Sequence, residues 1–137
     1  LGEALALHDV ALLTRADFIS IHAPLTPQTT GLIGRSAIRA MRPGSVLVNV
    51  SRGAIVDEAE LLSALQDGHL AGAGLDVFVE EPVNPQHPLV THPRVVSTPH
   101  VAGVTYETMR RRGIAAAQQI DRVARGETPM FLVTAAG

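Results

Sequence analysis

Arg52, Glu81 and His100 stand at or just beyond the ends of short apolar runs, and they supply a cation, a carboxylate and an imidazole. A guanidinium holds a carboxylate or carbonyl oxygen through two donors in one plane. A carboxylate beside an imidazole favours the protonated ring and fixes its orientation, giving a proton donor tunable near neutral pH. The three side chains thus suit a site that holds an anionic substrate and moves a proton. Each also has a plainer reading: Arg52 paired with a structural carboxylate, Glu81 a solvated loop acid, His100 a satisfied histidine at a strand end. Gly53 and its small neighbours would let a ligand approach the backbone closely. His22 also lies at a strand end, within reach of a ligand, whereas His8, His69, His87 and His92 read as surface residues.

Other chemistries fit less well. His22, Asp76, Glu81 and His100 are acceptable ligand types for zinc or non-haem iron, but no HxxxH or HExxH spacing occurs, so no metal is expected. Ser51 lacks the GxSxG turn that would project a nucleophilic hydroxyl. The absence of cysteine excludes disulfide and thiolate chemistry. Eleven basic and thirteen acidic residues give a net charge of -2, with no basic stripe interleaved with aromatics. Nucleic acid is therefore not an expected partner, and Arg110-Arg111-Arg112 reads as a solvated helix face. No apolar run reaches the roughly 18 residues a membrane span needs, and the N-terminus lacks the pattern of a signal peptide. The expected location is cytoplasmic. The first residue is not methionine, which suggests that residues are missing upstream.

The elements that must position these groups alternate strand and helix, the pattern of an α/β fold with a parallel sheet. The chain is 46% hydrophobic but only 3% aromatic, so its core must be built from Ala, Val, Leu and Ile, which suits a sheet covered by helices on both faces. Asp9 caps a short helix through Leu12 and Leu13, and Phe18 to Ile21 reads as a buried strand. Ser36 to Met41 is a short helix, and Val46 to Val48 a second buried strand. Asp57, three residues before Glu60, forms a variant capping box, and Gly68 falls where a helix ends. Ala73 to Leu75 leads into Asp76, Val95 to Ser97 is a fourth strand, and a last helix runs from a Thr105 cap towards Gly126. In open parallel sheets, ligands sit outside the carboxyl ends of the strands. Those ends here carry His22, Asn49 to Gly53, Asp76 and His100.

Taken together, His22-Ala23-Pro24-Leu25-Thr26, Asn49 to Asp57, Gly74 to Phe78 with Glu81-Pro82, and Thr98 to Gly103 resemble the D-isomer-specific 2-hydroxyacid dehydrogenase family, in order and in spacing. The resemblance implies hydride transfer between NAD or NADP and C2 of a small 2-keto or 2-hydroxy acid. It implies that Arg52 holds the substrate, that His100 is the proton donor and acceptor, and that Glu81 maintains His100. It places Asp76, with the backbone near Val50 and Ser51, against the nicotinamide carboxamide, and Gly103 close to the nicotinamide. His22, Ala23, Pro24 and Thr29 match positions that line the adenosine side of the cofactor. Asn49-Val50-Ser51-Arg52-Gly53 and His100-Val101-Ala102-Gly103 look more like the glyoxylate or hydroxypyruvate reductase branch than phosphoglycerate dehydrogenases, and Glu81 argues against the formate dehydrogenase branch.

The family pattern also holds a first strand with GxGxxG, a second strand ending in a ribose-binding acid, and most of a substrate domain. None of these occurs in the 137 residues; Gly72-Ala73-Gly74 is too short and precedes a strand. The resemblance therefore implies the second half of a doubly wound, mostly parallel Rossmann-type sheet. Residues 1–125 would be a partial nucleotide-binding domain, and residues 126–137 a tail returning to a missing substrate domain. The central position of the lost first strand predicts a slot with open strand edges. Such a fragment is expected to be inactive alone, and the intact protein to be a homodimer. Two alternatives remain open at this point: a non-catalytic, NAD-responsive interaction protein of corepressor type, and a degenerate truncated product.

Overall fold

The computed structural model describes residues 10–132, so His8, the proposed cap Asp9 and the end of the apolar tail at Val133 lie outside the described residues. The chain divides into two compact units, one ending at Val101 and the other beginning at Ala102. The first unit alternates helix and strand: α1 (Val10–Arg15), β1 (Phe18–Ile21), α2 (Arg35–Ala40), β2 (Val46–Asn49), α3 (Glu58–Gln66), β3 (Gly72–Leu75) and β4 (Val95–Ser97). A single 3-10 turn, Gly53–Ile55, lies between β2 and α3.

The four strands are parallel and lie side by side in chain order. The sheet therefore has open edges at β1 and β4, and among the described residues it has no slot between strands. That corrects the expectation of an internal gap: any further strand on this side would extend the β1 edge instead of filling a hole. Register places Ile21, Asn49 and Leu75 in one row and Leu75 opposite Ser97. The four strands thus end level, and the segments beyond them emerge at one edge.

Side chains alternate between the two faces of a strand, and here the faces differ sharply. Ile19, Ile21, Leu47, Ala73 and Leu75 point into a core completed by Leu13 of α1, Ala37 and Ile38 of α2, and Leu61, Ala64 and Leu65 of α3. The core is aliphatic apart from Met41 and Phe78, as the composition required. On the opposite face Phe18 and Val96 are each 74% exposed. Strand β1 is thus half-buried, not buried as its apolar run suggested. Helices α1 to α3 all share the core with the first face, whereas on the second face the edge strands expose Phe18 and Val96.

Local signals fix the ends of α3. The Asp57 side chain accepts from the backbone N–H of Ala59 (3.0 Å) and Glu60 (3.1 Å), satisfying two donors that the first turn leaves without partners. The expected capping box is only half formed, because the Asp57 N–H goes to the Ile33 carbonyl at 3.1 Å. Gly68 follows the helix at φ +78, in the left-handed region glycine favours.

The second unit is dominated by α4 (Tyr106–Ala124). Thr105 and Thr108 close a reciprocal cap: the Thr105 hydroxyl accepts from Thr108 N–H at 3.1 Å, and the Thr108 hydroxyl from Thr105 N–H at 2.8 Å. No residue of α4 is buried, and Met109, Ile120 and Val123 lie exposed on its apolar side. The following segment turns back on the helix, where Met130 N–H donates to the Gln119 side-chain oxygen at 2.7 Å. No described helix is long and apolar enough to cross a membrane.

Candidate active site

The level strand ends put Glu81 and His100 in direct contact. His100 Nδ1 lies 2.8 Å from Glu81 Oε2, and the other carboxylate oxygen, Oε1, accepts the Phe78 N–H at 3.0 Å. An ionised carboxylate can only accept, so the proton between the two groups sits on His100 Nδ1. The hydrogen bond from His100, then that from Phe78 N–H, hold the Glu81 carboxyl below its ordinary value of 4.5, and the nearby Arg52 charge adds to the effect. Among the described residues no hydrogen bond is made by His100 Nε2, which leaves it to exchange a proton with a ligand. Both side chains are partly open, His100 at 45% and Glu81 at 38%.

His100 itself sits at φ 55, a left-handed conformation that costs energy for a residue with a β-carbon. The surrounding turn is pinned. His100 N–H donates to the carbonyls of Asp76 (2.8 Å) and Thr98 (3.1 Å). Asp76 is only 4% exposed, and its Oδ1 accepts both the Thr98 hydroxyl and, at 2.8 Å, the Val101 N–H. The structure thus shows Asp76 anchoring the turn that presents His100.

Arg52 follows β2 through a short link organised by Asn49. Asn49 is 1% exposed, donates from Nδ2 to the Arg52 carbonyl at 2.9 Å, and accepts from Ser51 N–H at 3.1 Å. Its carbonyl also accepts the Asp76 N–H at 3.0 Å, tying the ends of β2 and β3 together. The Arg52 side chain is exposed, and among the described residues its guanidinium makes one hydrogen bond, from Nη1 to the Ser51 carbonyl at 2.7 Å. Most of its donors are left for a ligand.

Gly53 corrects one expectation. A β-carbon there would stand 2.0 Å from the Phe78 carbonyl carbon and 2.3 Å from Val79 nitrogen. The small residue admits the protein's own Phe78–Val79 backbone, not a ligand. Through it, the Arg52 link is packed against the turn that carries Glu81.

Most of the remaining expected site residues follow β1 and β2 in the first unit. Ala23 is half-buried and Pro24 exposed just past β1, and the His22 ring meets the Ser20 hydroxyl at 2.8 Å. Thr29 is buried, and its hydroxyl donates to the Pro24 carbonyl at 2.7 Å while receiving the Thr26 N–H at 2.7 Å, so it knots the loop after β1. Val50 and Ser51 are half-buried, with the Ser51 hydroxyl donating to the Ile21 carbonyl at 3.2 Å. Gly103 belongs to the second unit, where its carbonyl accepts the Thr108 hydroxyl at 2.9 Å.

Three histidines expected at the surface are half-buried and bonded instead. His69 Nε2 meets the Ile38 carbonyl at 2.9 Å, His92 Nδ1 accepts the Arg94 N–H at 3.2 Å, and His87 pairs with Glu58 at 3.5 Å. Sequence reasoning placed Asn49 at a strand end without seeing its side chain tie Ser51 to Arg52, and it passed over Glu58, whose backbone partner Val79 is distant in sequence. Among the described residues no cluster of His, Cys, Asp or Glu could hold a metal ion.

A parallel α/β sheet whose level strand ends gather an arginine and a carboxylate–imidazole pair at one edge has a dinucleotide-type architecture. Residues 5–102 match the family described as D-isomer specific 2-hydroxyacid dehydrogenase, NAD binding domain, and the chain belongs to that family. It is 48% identical over 122 residues to a glyoxylate reductase of Aeropyrum pernix, covering 89% of this chain and 36% of that protein. It is 46% identical over 125 residues to a D-3-phosphoglycerate dehydrogenase of Mycobacterium bovis, covering 91% of this chain and 23% of that one. The crystal structure of the TT0316 protein from Thermus thermophilus superposes with a TM-score of 0.86 at 42% identity, over 91% of this chain and 40% of that one. The chain thus spans about a third or less of the length of these two curated relatives.

Proposed function

We propose that the chain supplies the substrate-anchoring and proton-transfer part of a nicotinamide-dependent 2-hydroxyacid dehydrogenase of the glyoxylate or hydroxypyruvate reductase type. The observation that carries this reading is the 2.8 Å contact between His100 Nδ1 and Glu81, with Nε2 left open and Arg52 exposed at the adjoining strand end. The donor set suits the cofactor's reactive half: buried Asp76 and the half-buried Val50–Ser51 backbone stand at the strand ends where a nicotinamide would be held. When bound, that cofactor, NAD or NADP, supplies or accepts the hydride at C2 of the keto or hydroxy acid.

The chain's own residues would do the rest. Arg52 binds the substrate carboxylate and keto oxygen through its two-donor fork. As the keto carbon is reduced its oxygen gains negative charge, which Arg52 and the Nε2–H of protonated His100 stabilise as it forms. His100 then gives that proton to the oxygen, and in the reverse direction it takes one. Glu81, accepting from Nδ1–H, holds the ring in place and keeps Nε2 aimed outwards. In this reading residues 1–125 are the second half of a nucleotide-binding domain and residues 126–137 a tail towards a substrate domain. With no GxGxxG motif among its 137 residues, the chain would not turn over alone.

The test is NADH and NADPH oxidation with glyoxylate, hydroxypyruvate and pyruvate. It is run on the purified chain and on a chimera in which the chain replaces the matching segment of the Aeropyrum pernix protein. Turnover is expected from the chimera only, and His100→Ala should lower it by roughly 100- to 10,000-fold, the range for losing a general acid–base group. Arg52→Lys should also lose most activity, because a point charge cannot replace the fork. A chimera that keeps its turnover after His100→Ala would overturn the assignment.

A further inference from the structure

A second carboxylate–imidazole pair stands behind the first. Glu58, in the first turn of α3, lies 3.5 Å from His87 Nε2, and the two side chains are 20% and 29% exposed. The other Glu58 oxygen, Oε1, accepts the Val79 N–H at 2.8 Å. His87 Nδ1 accepts the Leu89 N–H at 3.3 Å, which places the proton of the neutral ring on Nε2, the nitrogen that faces Glu58. The His87 ring also meets Phe78 edge-on, with centroids 5.7 Å apart. The two successive backbone donors of the Glu81 turn thus go to two different carboxylates: Phe78 N–H to Glu81, and Val79 N–H to Glu58.

We propose that Glu58 and His87 form a positioning pair that fixes the Phe78–Glu81 turn, and through it holds the Glu81 carboxylate against His100. The importance of that hold rests on the function proposed above; its geometry does not. Neither residue touches the reacting groups. Glu58 reaches across from the helix that follows Arg52 and Gly53, and His87 braces the turn from the loop beyond Glu81. A carboxylate free to swing away from His100 would no longer orient the ring, and misplacement by an ångström can cost about 100-fold in rate.

The test is a carboxyl carbon-13 titration of Glu81 in the full chain, compared among wild type, Glu58→Ala, His87→Ala and Glu58→Gln, with the unfolding midpoint measured for each. In both alanine variants the Glu81 midpoint should rise towards 4.5, because the contacts that depress it loosen. Glu58→Gln keeps an oxygen for Val79 N–H and should hold Glu81 closer to wild type than Glu58→Ala does. A merely structural loss would lower the unfolding midpoint and leave the native titration where it was. If Glu58→Ala fails to fold, His87→Ala carries the same test, since it leaves the Glu58–Val79 bond in place. In the chimera, both alanine variants should lower kcat by about 10- to 100-fold with the cofactor KM unchanged. Wild-type titration of Glu81 in the folded alanine variants would overturn the proposal. Because the titration is read without substrate, a chimera lacking turnover but showing the expected shifts would refute the proposed chemistry and support the positioning pair.

Discussion

Gly53→Ala is expected to damage the chain far beyond the size of one methyl group. The added carbon would meet the Phe78 carbonyl carbon at 2.0 Å, its oxygen at 2.2 Å and Val79 nitrogen at 2.3 Å, all of them backbone. Ordinary contact begins at 3.4 Å, so the two segments must part by more than an ångström. No flexible side chain is available to give way. Overpacking a well-filled site typically costs 1–3 kcal/mol, and this case, set against backbone, should lie at or above about 3 kcal/mol. The displacement falls on the turn that carries Glu81, so the Glu81–His100 contact should loosen along with stability. Gly74→Ala is the matching control: its β-carbon would meet Val48 at 3.6 Å, an ordinary contact in the same unit. Alanine there should be neutral or should stabilise by up to about 1 kcal/mol, because glycine weakens a strand interior. Urea unfolding of both variants decides the matter. Equal stability of Gly53→Ala and wild type would refute the claim that this glycine admits the Phe78 backbone.

Charge and burial give two more expected outcomes. Bonds from the His69 N–H and the Arg39 guanidinium hold the Asp67 carboxyl below its ordinary value of 3.8, so its contribution to stability is present above that pH and is lost as pH falls through the lower folded value. Glu81 behaves in the same direction from 4.5. The stability gap between wild type and Asp67→Asn should therefore shrink as a urea titration is repeated at falling pH; a gap independent of pH would sink this reasoning. Among the described residues the Ser45 hydroxyl finds no hydrogen-bond partner at 1% exposure, so Ser45→Ala should raise stability by about 1 kcal/mol in the same assay. A loss of stability would show that the hydroxyl is bonded after all.

Much of the site was legible because strand-end chemistry is written locally. Arg52, Asp76 and His100 each follow an apolar run, and a parallel sheet delivers such residues to one edge. The α3 cap at Asp57 and the α4 cap at Thr105 were legible for the same reason, as each bonds within three residues. What escaped depends on neighbours remote in sequence. Glu58 reads as a first-turn acid until Val79, 21 residues on, is found donating to it. Gly53 reads as room for a ligand until Phe78 is found filling that room. The slot predicted in the sheet failed because the four strands present are consecutive neighbours, so a strand absent from one side leaves an edge at β1 and no gap between them.

These remote contacts share one design. The β2 end is bound to the β3 end by the Asn49 carbonyl on Asp76 N–H, and Asp76 in turn pins the His100 turn through Thr98 and Val101. The turn after β3 is held from the opposite side by Gly53 and Glu58, which flank the start of α3 just beyond Arg52. Each of the three chemistry-bearing residues is thus placed by a segment that also places another. Arg52 and His100 are both exposed, and exposed side chains on separate loops would otherwise sample many arrangements. Shared backbone anchors restrict that freedom without burying the groups that must meet a ligand. The consequence is coupling: loosening the Phe78–Glu81 turn should disturb Glu81, then His100, before it disturbs the aliphatic core beneath them.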